Sequence, residues 1–275
     1  MLIYQLTNCT AYQMMGYVIK TDNGKIIAID GGGFEQSSEL YKVLEIVGKE
    51  VDMWFLTHTH NDHYGAIVEL FREHNDVKVC GIWRNPCETA RIIDLLPPGE
   101  KRQLDEWSKC EKELNIPLHK MRVGQEFSVD NVHIEVLAIN NPEILVNNHN
   151  NQSVVLRLTE GDFSILFLGD LGVEGGEKLI KQAGDALKST AVQMAHHGQG
   201  GVDRAVYELV GARYAFWPTP KWLWDNTPYL GGEPGMGHFE TPVTAKWMKE
   251  LGAINVTSFD STIVFDTKTE QWKNI

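Results

Sequence analysis

Long hydrophobic runs and paired cysteines are both missing from this sequence. The longest apolar runs span about four positions, as at 165–168, whereas a transmembrane helix needs about 20. The four cysteines, at positions 9, 80, 87 and 110, show no C-x-x-C spacing, which argues against a disulfide framework and a cysteine zinc site. The first residues lack the basic and apolar segments of a secretory signal. We therefore expect no membrane span and a cytoplasmic protein.

Positive charge is scarce, and the sequence has no repeat or low-complexity tract. Lys and Arg number 25 against 37 Asp and Glu, which gives a net charge of −12 and disfavours nonspecific binding to nucleic acid. Hydrophobic residues make up 43 % and charged residues 23 % of the chain, which excludes a disordered, collagen-like or coiled-coil protein. A chain of 275 residues is also long enough to bury a self-sufficient core.

The hydrophobic pattern predicts an α/β protein. An Asn23-Gly24 turn between two apolar segments indicates an opening hairpin. Residues 84–117 have helical spacing and many charges, which predicts a helical insertion, and 217–240 predict a long ordered loop. The spacing predicts strands over 15–20, 25–30, 51–56, 77–83, 132–139, 153–159, 163–169 and 191–195, and helices over 38–48, 63–74, 173–183, 202–210 and 241–251.

The clearest chemical signal lies at residues 57–63, directly after an apolar strand. This segment reads T-H-T-H-N-D-H and places His58, His60, Asp62 and His63 within six positions. On an extended chain the first two imidazoles can point to one side, while the last two residues begin a helix, so the segment has room for two metal ions. Imidazole and carboxylate ligands suit zinc, and also iron or manganese. A histidine-rich surface turn or a structural metal site without chemistry remains the alternative.

Further candidate ligands stand where other predicted strands end. Asp170 follows the strand over 164–169, and His196 and His197 follow the strand over 191–195. Neighbouring strand ends commonly build one site. We therefore expect these side chains to lie close to the histidine motif.

These residues resemble the metallo-β-lactamase superfamily, over nearly the whole chain. The motif at 57–63, the hairpin ending at Asp30 and the F-L-G-D segment ending at Asp170 carry the resemblance. The segments 150–158, 168–170, 195–200 and 237–242 follow the order of the hydrolase domain of ComEC-type competence proteins, a branch that includes the phosphorylcholine esterases. The resemblance implies a single domain over 1–275 with a four-layer αββα sandwich, in which two mixed sheets are covered by outer helices.

The same resemblance implies two divalent metal ions, with Zn²⁺ expected and Mn²⁺ or Fe²⁺ open. We favour His197 over His196 as a ligand, because the residue before the glycine is the usual ligand in the superfamily. Asp170 would bridge the two ions. The implied ligand sets are His58, His60 and Asp170 for one ion, and Asp62, His63, Asp170 and His197 for the other.

The broader superfamily has a third histidine at the first ion, and this chain has asparagine, glutamine and serine at 150–153 instead. The neighbouring His149 could supply the missing ligand. Its polar surroundings favour the other interpretation, an exposed loop residue. A weaker first metal site would follow.

Three residues are candidates for catalysis. Asp62 would orient the attacking hydroxide, and His196 or His238 would bind a phosphate oxygen or protonate the leaving group. His238 could equally be an exposed loop residue. We expect Asp30, with Thr57 or Thr59, to hold the ligating imidazoles, with a strand-end cap as the alternative for the aspartate.

The expected activity is that of a metal-dependent hydrolase, a phosphoesterase or phosphodiesterase using a hydroxide held by two metals. Lactonase, thioesterase or β-lactamase-like hydrolysis, a mononuclear iron oxidoreductase and a non-catalytic metal-binding protein are the alternatives. Relatives that reduce oxygen or nitric oxide place glutamate where His60 stands here, which favours hydrolysis.

A small-molecule phosphoester is the expected substrate, and nucleic acid is disfavoured by the net charge. Aromatic residues near His238 could form a wall against a choline-like cation, or they could pack the loop onto the core. These residues are Trp217, Trp222, Trp224 and Tyr229.

Overall fold

The computed structural model describes residues 1–85, 96–229 and 231–275. None of the helices in these ranges combines the length and the apolar character needed to cross a bilayer. The α-helices are α1 (Ser37–Val47), α2 (Asn61–Glu73), α3 (Pro98–Glu113), α4 (Val173–Ala183), α5 (Arg204–Val210), α6 (Lys221–Trp224) and α7 (Thr241–Glu250). The strands are β1 (Leu2–Gln5), β2 (Gly16–Lys20), β3 (Ile26–Asp30), β4 (Glu50–Val51), β5 (Met53–Leu56), β6 (Lys78–Val79), β7 (Ile82–Arg84), β8 (Leu118–His119), β9 (Glu126–Val129), β10 (Val132–Ala138), β11 (Val155–Glu160), β12 (Phe163–Phe167), β13 (Ala191–Gln193), β14 (Tyr214–Trp217), β15 (Ile254–Thr257), β16 (Ile263–Asp266) and β17 (Gln271–Asn274).

Two large mixed sheets form from these strands. The first has the order β17-β16-β1-β2-β3-β5-β7-β8, antiparallel from β17 to β3 and parallel from β3 to β8. The second has the order β15-β14-β13-β12-β11-β10-β9, parallel from β15 to β12 and antiparallel beyond it. The short strands β4 and β6 pair separately.

The sheets pack face to face, and helices cover their outer faces. Side-chain alternation along β3 shows the arrangement: Ile27 and Ile29 face the second sheet, and Ala28 faces the helices. The outer face of the first sheet packs against α1, α2 and α3. That of the second sheet packs against α4, α5 and α7. The predicted four-layer αββα sandwich with mixed sheets is confirmed.

The predicted elements differ from the structure in several places. Strands β1, β8, β9 and β14 to β17 were not predicted, and the strand predicted over 51–56 is two strands, β4 and β5, of different sheets. The strand predicted over 77–83 is two short strands, β6 and β7, which belong to different sheets. The loop predicted over 217–240 begins inside β14 and contains the short helix α6. The insertion predicted over 84–117 is helical at α3, and its residues 86–95 lie outside the described ranges.

The parallel strands set the position of the site. β3 and β5 of the first sheet run parallel, as do β12, β13 and β14 of the second. The carboxyl ends of parallel neighbours meet at one edge of a sheet, where open α/β sheets bind ligands. The segments that follow these strands carry the polar side chains described below.

The packing between the sheets predicts a large cost for removing an inner aromatic ring. Phe167 is fully buried and meets the ring of Tyr17 edge-on, with centroids 5.1 Å apart. Phe167→Ala should lower the free energy of unfolding by about 3–5 kcal/mol in denaturant titrations. Val146→Ala, at a side chain that is 64 % exposed, is the control, with a change of about 0.5 kcal/mol or less. Similar small losses in both variants would contradict the described core.

Candidate metal centre

The T-H-T-H-N-D-H segment leaves β5 in an extended conformation and enters α2 at Asn61. Backbone hydrogen bonds hold the first turn of α2 against the end of β3. Gly31 N donates to His63 O at 2.8 Å, and Ala66 N donates to Gly32 O at 2.9 Å. Gly65 allows this approach, because a Cβ there would lie 2.4 Å from Phe34 N. Asp62 and His63 are thereby placed beside the residues that follow β5.

The structure brings together all six residues that were predicted as metal ligands. They form two groups that share Asp170, and within each group the ligand atoms lie within 4.8 Å of one another. The groups are His58, His60 and Asp170, and Asp62, His63, Asp170 and His197. These are the two sets that the family resemblance implied.

Short distances between acceptor atoms define the second group. Asp170 Oδ2 lies 3.2 Å from His63 Nε2 and 3.3 Å from His197 Nε2. His197 Nε2 also lies 3.2 Å from Asp62 Oδ2. Both oxygens of Asp170 and the two imidazole Nε2 atoms are buried without a hydrogen-bond partner. Buried polar atoms are normally paired, and a cation between these atoms would satisfy them, so the residues fit a metal ion.

The first group is more loosely arranged. His58 Nε2 lies 3.0 Å from His60 Nδ1 and 3.9 Å from Asp170 Oδ2. His58 is buried, and its Nδ1 atom lies 3.2 Å from Thr57 Oγ1 and 3.4 Å from Ser153 Oγ. Its Nε2 atom is therefore the one that faces Asp170.

Asp30 contacts two residues of the histidine motif, Thr57 and His63. Its buried carboxylate accepts hydrogen bonds from Thr57 N and Thr57 Oγ1, each at 2.7 Å, and lies 2.7 Å from His63 Nδ1. A carboxylate on one ring nitrogen leaves the other nitrogen free to face the metal. Asp30 therefore contacts the imidazole of His63, as expected of a supporting residue, and does more than cap the end of β3.

His196 and His197 occupy an unusual turn after β13. Both have positive φ angles, 50° and 54°, which are uncommon for residues other than glycine and mark a constrained site. The next residue, Gly198, leaves room for Trp217, whose ring would lie 2.4 Å from a Cβ. His197 Nδ1 donates to Pro218 O at 2.9 Å, so Nε2 of His197 points at the carboxylates. His196, the alternative ligand, is outside both groups.

In the second group buried carboxylates lie against imidazoles, and each shifts the pKa of the other. Burial opposes ionisation of Asp62, but the imidazole of His197 outweighs it and lowers the pKa of Asp62 to about 2. Burial disfavours the charged form of His197, but Asp170 and Asp62 raise its pKa to about 10. Burial lowers the pKa of His60 to about 4. The second group therefore attracts positive charge, and the first group presents neutral imidazoles.

The interpretation of His149 as an exposed loop residue is wrong, because the side chain is 1 % exposed. Asparagine amides bind backbone groups around it and allow this polar segment to be buried. Asn141 Nδ2 donates to Asn151 O at 2.7 Å, and Asn151 Oδ1 accepts from Gly172 N at 3.0 Å. His149 nevertheless belongs to neither ligand group.

Three buried polar residues near the ligands were not singled out from the sequence. Ser153 Oγ accepts from Asp170 N at 2.9 Å, and Gln193 Oε1 accepts from Gly169 N at 2.8 Å, so both hold the turn that carries Asp170. Asn150 Nδ2 lies 3.3 Å from His196 Nε2. The only sequence signal was the run of polar residues at 150–153, directly before an apolar strand.

A cavity of about 740 Å³ opens onto the ligands. His60, Asp62, His196 and the exposed His238 line it. No lysine or arginine is among the described residues that line it. Its remaining walls come from the loop after β1, the loop after β3, α3 and the segment that follows β14.

Of the four aromatic residues considered either for a wall or for packing of the loop, two face the cavity and two pack in the core. Trp222 and Tyr229 line the cavity. Trp217 is fully buried in β14, and Trp224 packs edge-on against it. Rings that the sequence did not indicate complete the lining, namely Tyr12, Phe34 and Phe239.

The role of Asp30 can be tested without an activity assay. Asp30→Asn should lower zinc affinity by about 10–100-fold in titrations against a competing chelator, because His63 loses its carboxylate partner. Asp162→Asn, at an exposed turn, is the matched control and should leave the affinity unchanged. Equal affinities in the two variants would rule out the support role.

Comparisons with known proteins agree with this architecture. Residues 12–82 match the model of the Metallo-beta-lactamase superfamily. The chain is 24 % identical over 155 residues to ComE operon protein 3 of Bacillus subtilis (strain 168), over 56 % of this chain and only 18 % of that protein. The metallo-beta-lactamase fold protein YhfI from Bacillus subtilis matches with a TM-score of 0.57 at 13 % identity, over 97 % of this chain and 100 % of that chain.

A mutant of CmlA beta-hydroxylase is also similar, with a TM-score of 0.54 at 12 % identity, over 93 % of this chain and 52 % of that chain. At these identities the solved structures bear on the fold alone. The matched segment at 12–82 contains the histidine motif and the hairpin that were recognised in the sequence. The matched segment and the fold therefore agree with the resemblance of the motifs to the metallo-beta-lactamase superfamily.

Proposed function

We propose that this protein is a metal-dependent hydrolase that cleaves small phosphoesters, as a phosphoesterase or phosphodiesterase with two divalent metal ions. The observation that carries the proposal is the pair of ligand groups joined by Asp170 at the base of a cavity. A pair of metal ions suits in-line displacement at phosphorus, because such ions stabilise both the attacking and the leaving oxygen. Zinc is the expected metal, since imidazole and carboxylate are among its usual ligands.

Two ions at these groups would supply an activated water molecule and neutralise charge on the phosphoryl oxygens. The chain supplies orientation and proton transfer. Asp62 combines a place in the second ligand group with exposure to the cavity, so its carboxylate can orient the nucleophile. His196 and His238 line the same cavity and are assigned to the phosphate oxygens or the leaving group.

His196 is well placed for contact with substrate. Its Nδ1 atom is buried without a hydrogen-bond partner, and its Nε2 atom lies 3.3 Å from Asn150 Nδ2. That contact with Asn150 orients the ring at the wall of the cavity, where a bound group can meet it. His238 is exposed at the edge of the cavity beside Phe239, with ring centroids 4.6 Å apart, which suits contact with a leaving group.

The cavity favours a small substrate. Its volume lies within the range of small-molecule sites, about 300–1,000 Å³. Nucleic-acid sites depend on lysine and arginine, which are absent from the described lining. With the net charge of −12, this supports a small phosphoester over a nucleic-acid strand.

Metal content and substrate preference together test the proposed function. Protein purified without added metal should contain two equivalents of zinc or manganese by mass spectrometry. The same sample should hydrolyse bis-p-nitrophenyl phosphate or p-nitrophenylphosphorylcholine and leave a chromogenic lactam intact. Turnover of the lactam alone would favour carbon–nitrogen hydrolysis. A single iron without turnover would favour an oxidoreductase, and absence of metal would favour a binding role.

The bridging assignment predicts the effect of removing one carboxylate. Asp170→Ala should abolish hydrolysis and reduce the metal content to one equivalent or less, because both ligand groups lose a member. Circular dichroism should show that the variant remains folded. Asp162→Ala is the control for loss of a surface carboxylate. Normal turnover by Asp170→Ala would contradict the dinuclear proposal.

The aromatic lining predicts a contribution to substrate affinity. Trp222 contacts Tyr229 and Phe239 at centroid distances of 5.4 and 5.3 Å. Trp222→Ala should raise KM for p-nitrophenylphosphorylcholine by about 2–30-fold, the equivalent of about 0.5–2 kcal/mol of cation–π contact, with little change in kcat. Trp272→Ala, outside the cavity lining, should leave both constants unchanged. An unchanged KM in Trp222→Ala would show that this ring packs against its neighbours and does not bind the substrate.

A further inference from the structure

We propose that His149 positions His60 for the first metal ion by ring packing, without being a ligand itself. The inference rests on the proposed metal centre but not on the choice of phosphoester as substrate. It assigns a role to a buried histidine that the proposed reaction does not use.

The contacts of His149 join two consecutive residues of the histidine motif. Its ring lies against the ring of His60, with centroids 4.0 Å apart and an angle of 55° between the planes. Its Nε2 atom forms a hydrogen bond of 2.8 Å with Thr59 Oγ1. Thr59 and His149 are both at most 2 % exposed. One imidazole therefore restrains both the side chain of Thr59 and the ring of His60.

The arrangement differs from direct ligation. His58, His60 and Asp170 bring their ligand atoms within 4.8 Å of one another, and His149 is not part of that group. The ring of His149 lies farther from His58, with centroids 5.9 Å apart. Its Nε2 atom is already engaged by Thr59, and its Nδ1 atom, although buried without a hydrogen-bond partner, is not among the clustered ligand atoms of either group. Packing and one hydrogen bond are therefore the contacts through which it acts.

The need for such support follows from how His60 is held. Its Nδ1 atom faces His58 Nε2 at 3.0 Å, and its residue precedes the first turn of α2 without a side-chain cap. A ligand whose ring can rotate loses conformational entropy when a metal binds. Packing by His149 removes part of that freedom beforehand, as preorganisation requires.

The role is tested by metal binding to three variants of the full chain. His149→Ala removes the packing and the hydrogen bond, His149→Phe keeps a ring, and Thr59→Val removes only the hydrogen bond. Cobalt(II) is titrated into metal-free protein and followed by visible absorption and by chelator competition. His74→Ala, at a half-buried histidine that stacks on Tyr41 and belongs to no candidate metal group, is the matched control.

His149→Ala should weaken one of two cobalt equivalents by about 10–100-fold, the usual effect of losing a residue that supports a ligand. His149→Phe should restore most of that affinity and the wild-type spectrum. Thr59→Val should have a smaller effect than His149→Ala. His74→Ala should bind as the wild type does.

Two results would overturn the inference while leaving the proposed function intact. Loss of the same equivalent in both His149→Phe and His149→Ala would make His149 a ligand. Wild-type cobalt binding by His149→Ala would show that His149 does not position His60 for the metal. Fewer than two equivalents in the wild-type protein would instead contradict the dinuclear proposal itself, and this inference with it. A folded state for each variant is checked by circular dichroism, and His149→Phe keeps the test valid where His149→Ala fails to fold.

Discussion

The candidate metal centre depends on one buried carboxylate, that of Asp30. It accepts hydrogen bonds from the backbone and hydroxyl of Thr57 and contacts His63, so a single side chain joins the end of β3, the end of β5 and the first turn of α2. Each of these contacts involves a group that would be costly to leave unpaired in the interior. The sheet beneath the motif therefore holds it in one conformation through contacts that need no metal ion.

The remaining buried charge also requires compensation. Asp170 is 1 % exposed, and neither of its oxygens has a hydrogen-bond partner. Burial raises the pKa of an isolated carboxyl, yet the imidazoles of His63 and His197 hold the pKa of Asp170 well below its usual range. The centre thus stabilises positive charge between its carboxylates. The same groups that favour protons there are the ones that a divalent cation would use.

Local sequence was enough to predict which candidate ligands lie together, because the motif is continuous and Asp170 and His197 follow apolar strands closely. The placement of His149 could not be read in this way, since its burial depends on amide contacts such as that between Asn141 and Asn151. Strand β17 escaped prediction for a different reason. All four of its residues are exposed, so it has no hydrophobic period, and it is held in place by pairing with β16 and by the ring contacts of Trp272.

The charge distribution of the cavity links metal binding to substrate choice in the proposed function. A phosphoester brings negative charge to a site where Asp62 and Glu35 line the wall and the described lining offers no lysine or arginine. Without cations at the two ligand groups, such a substrate would be repelled. The ring faces of Tyr12, Trp222 and Tyr229 favour contact with an uncharged or cationic part of the molecule. In the proposed function the phosphoryl group would therefore face the two ligand groups and the leaving group would face the aromatic rings.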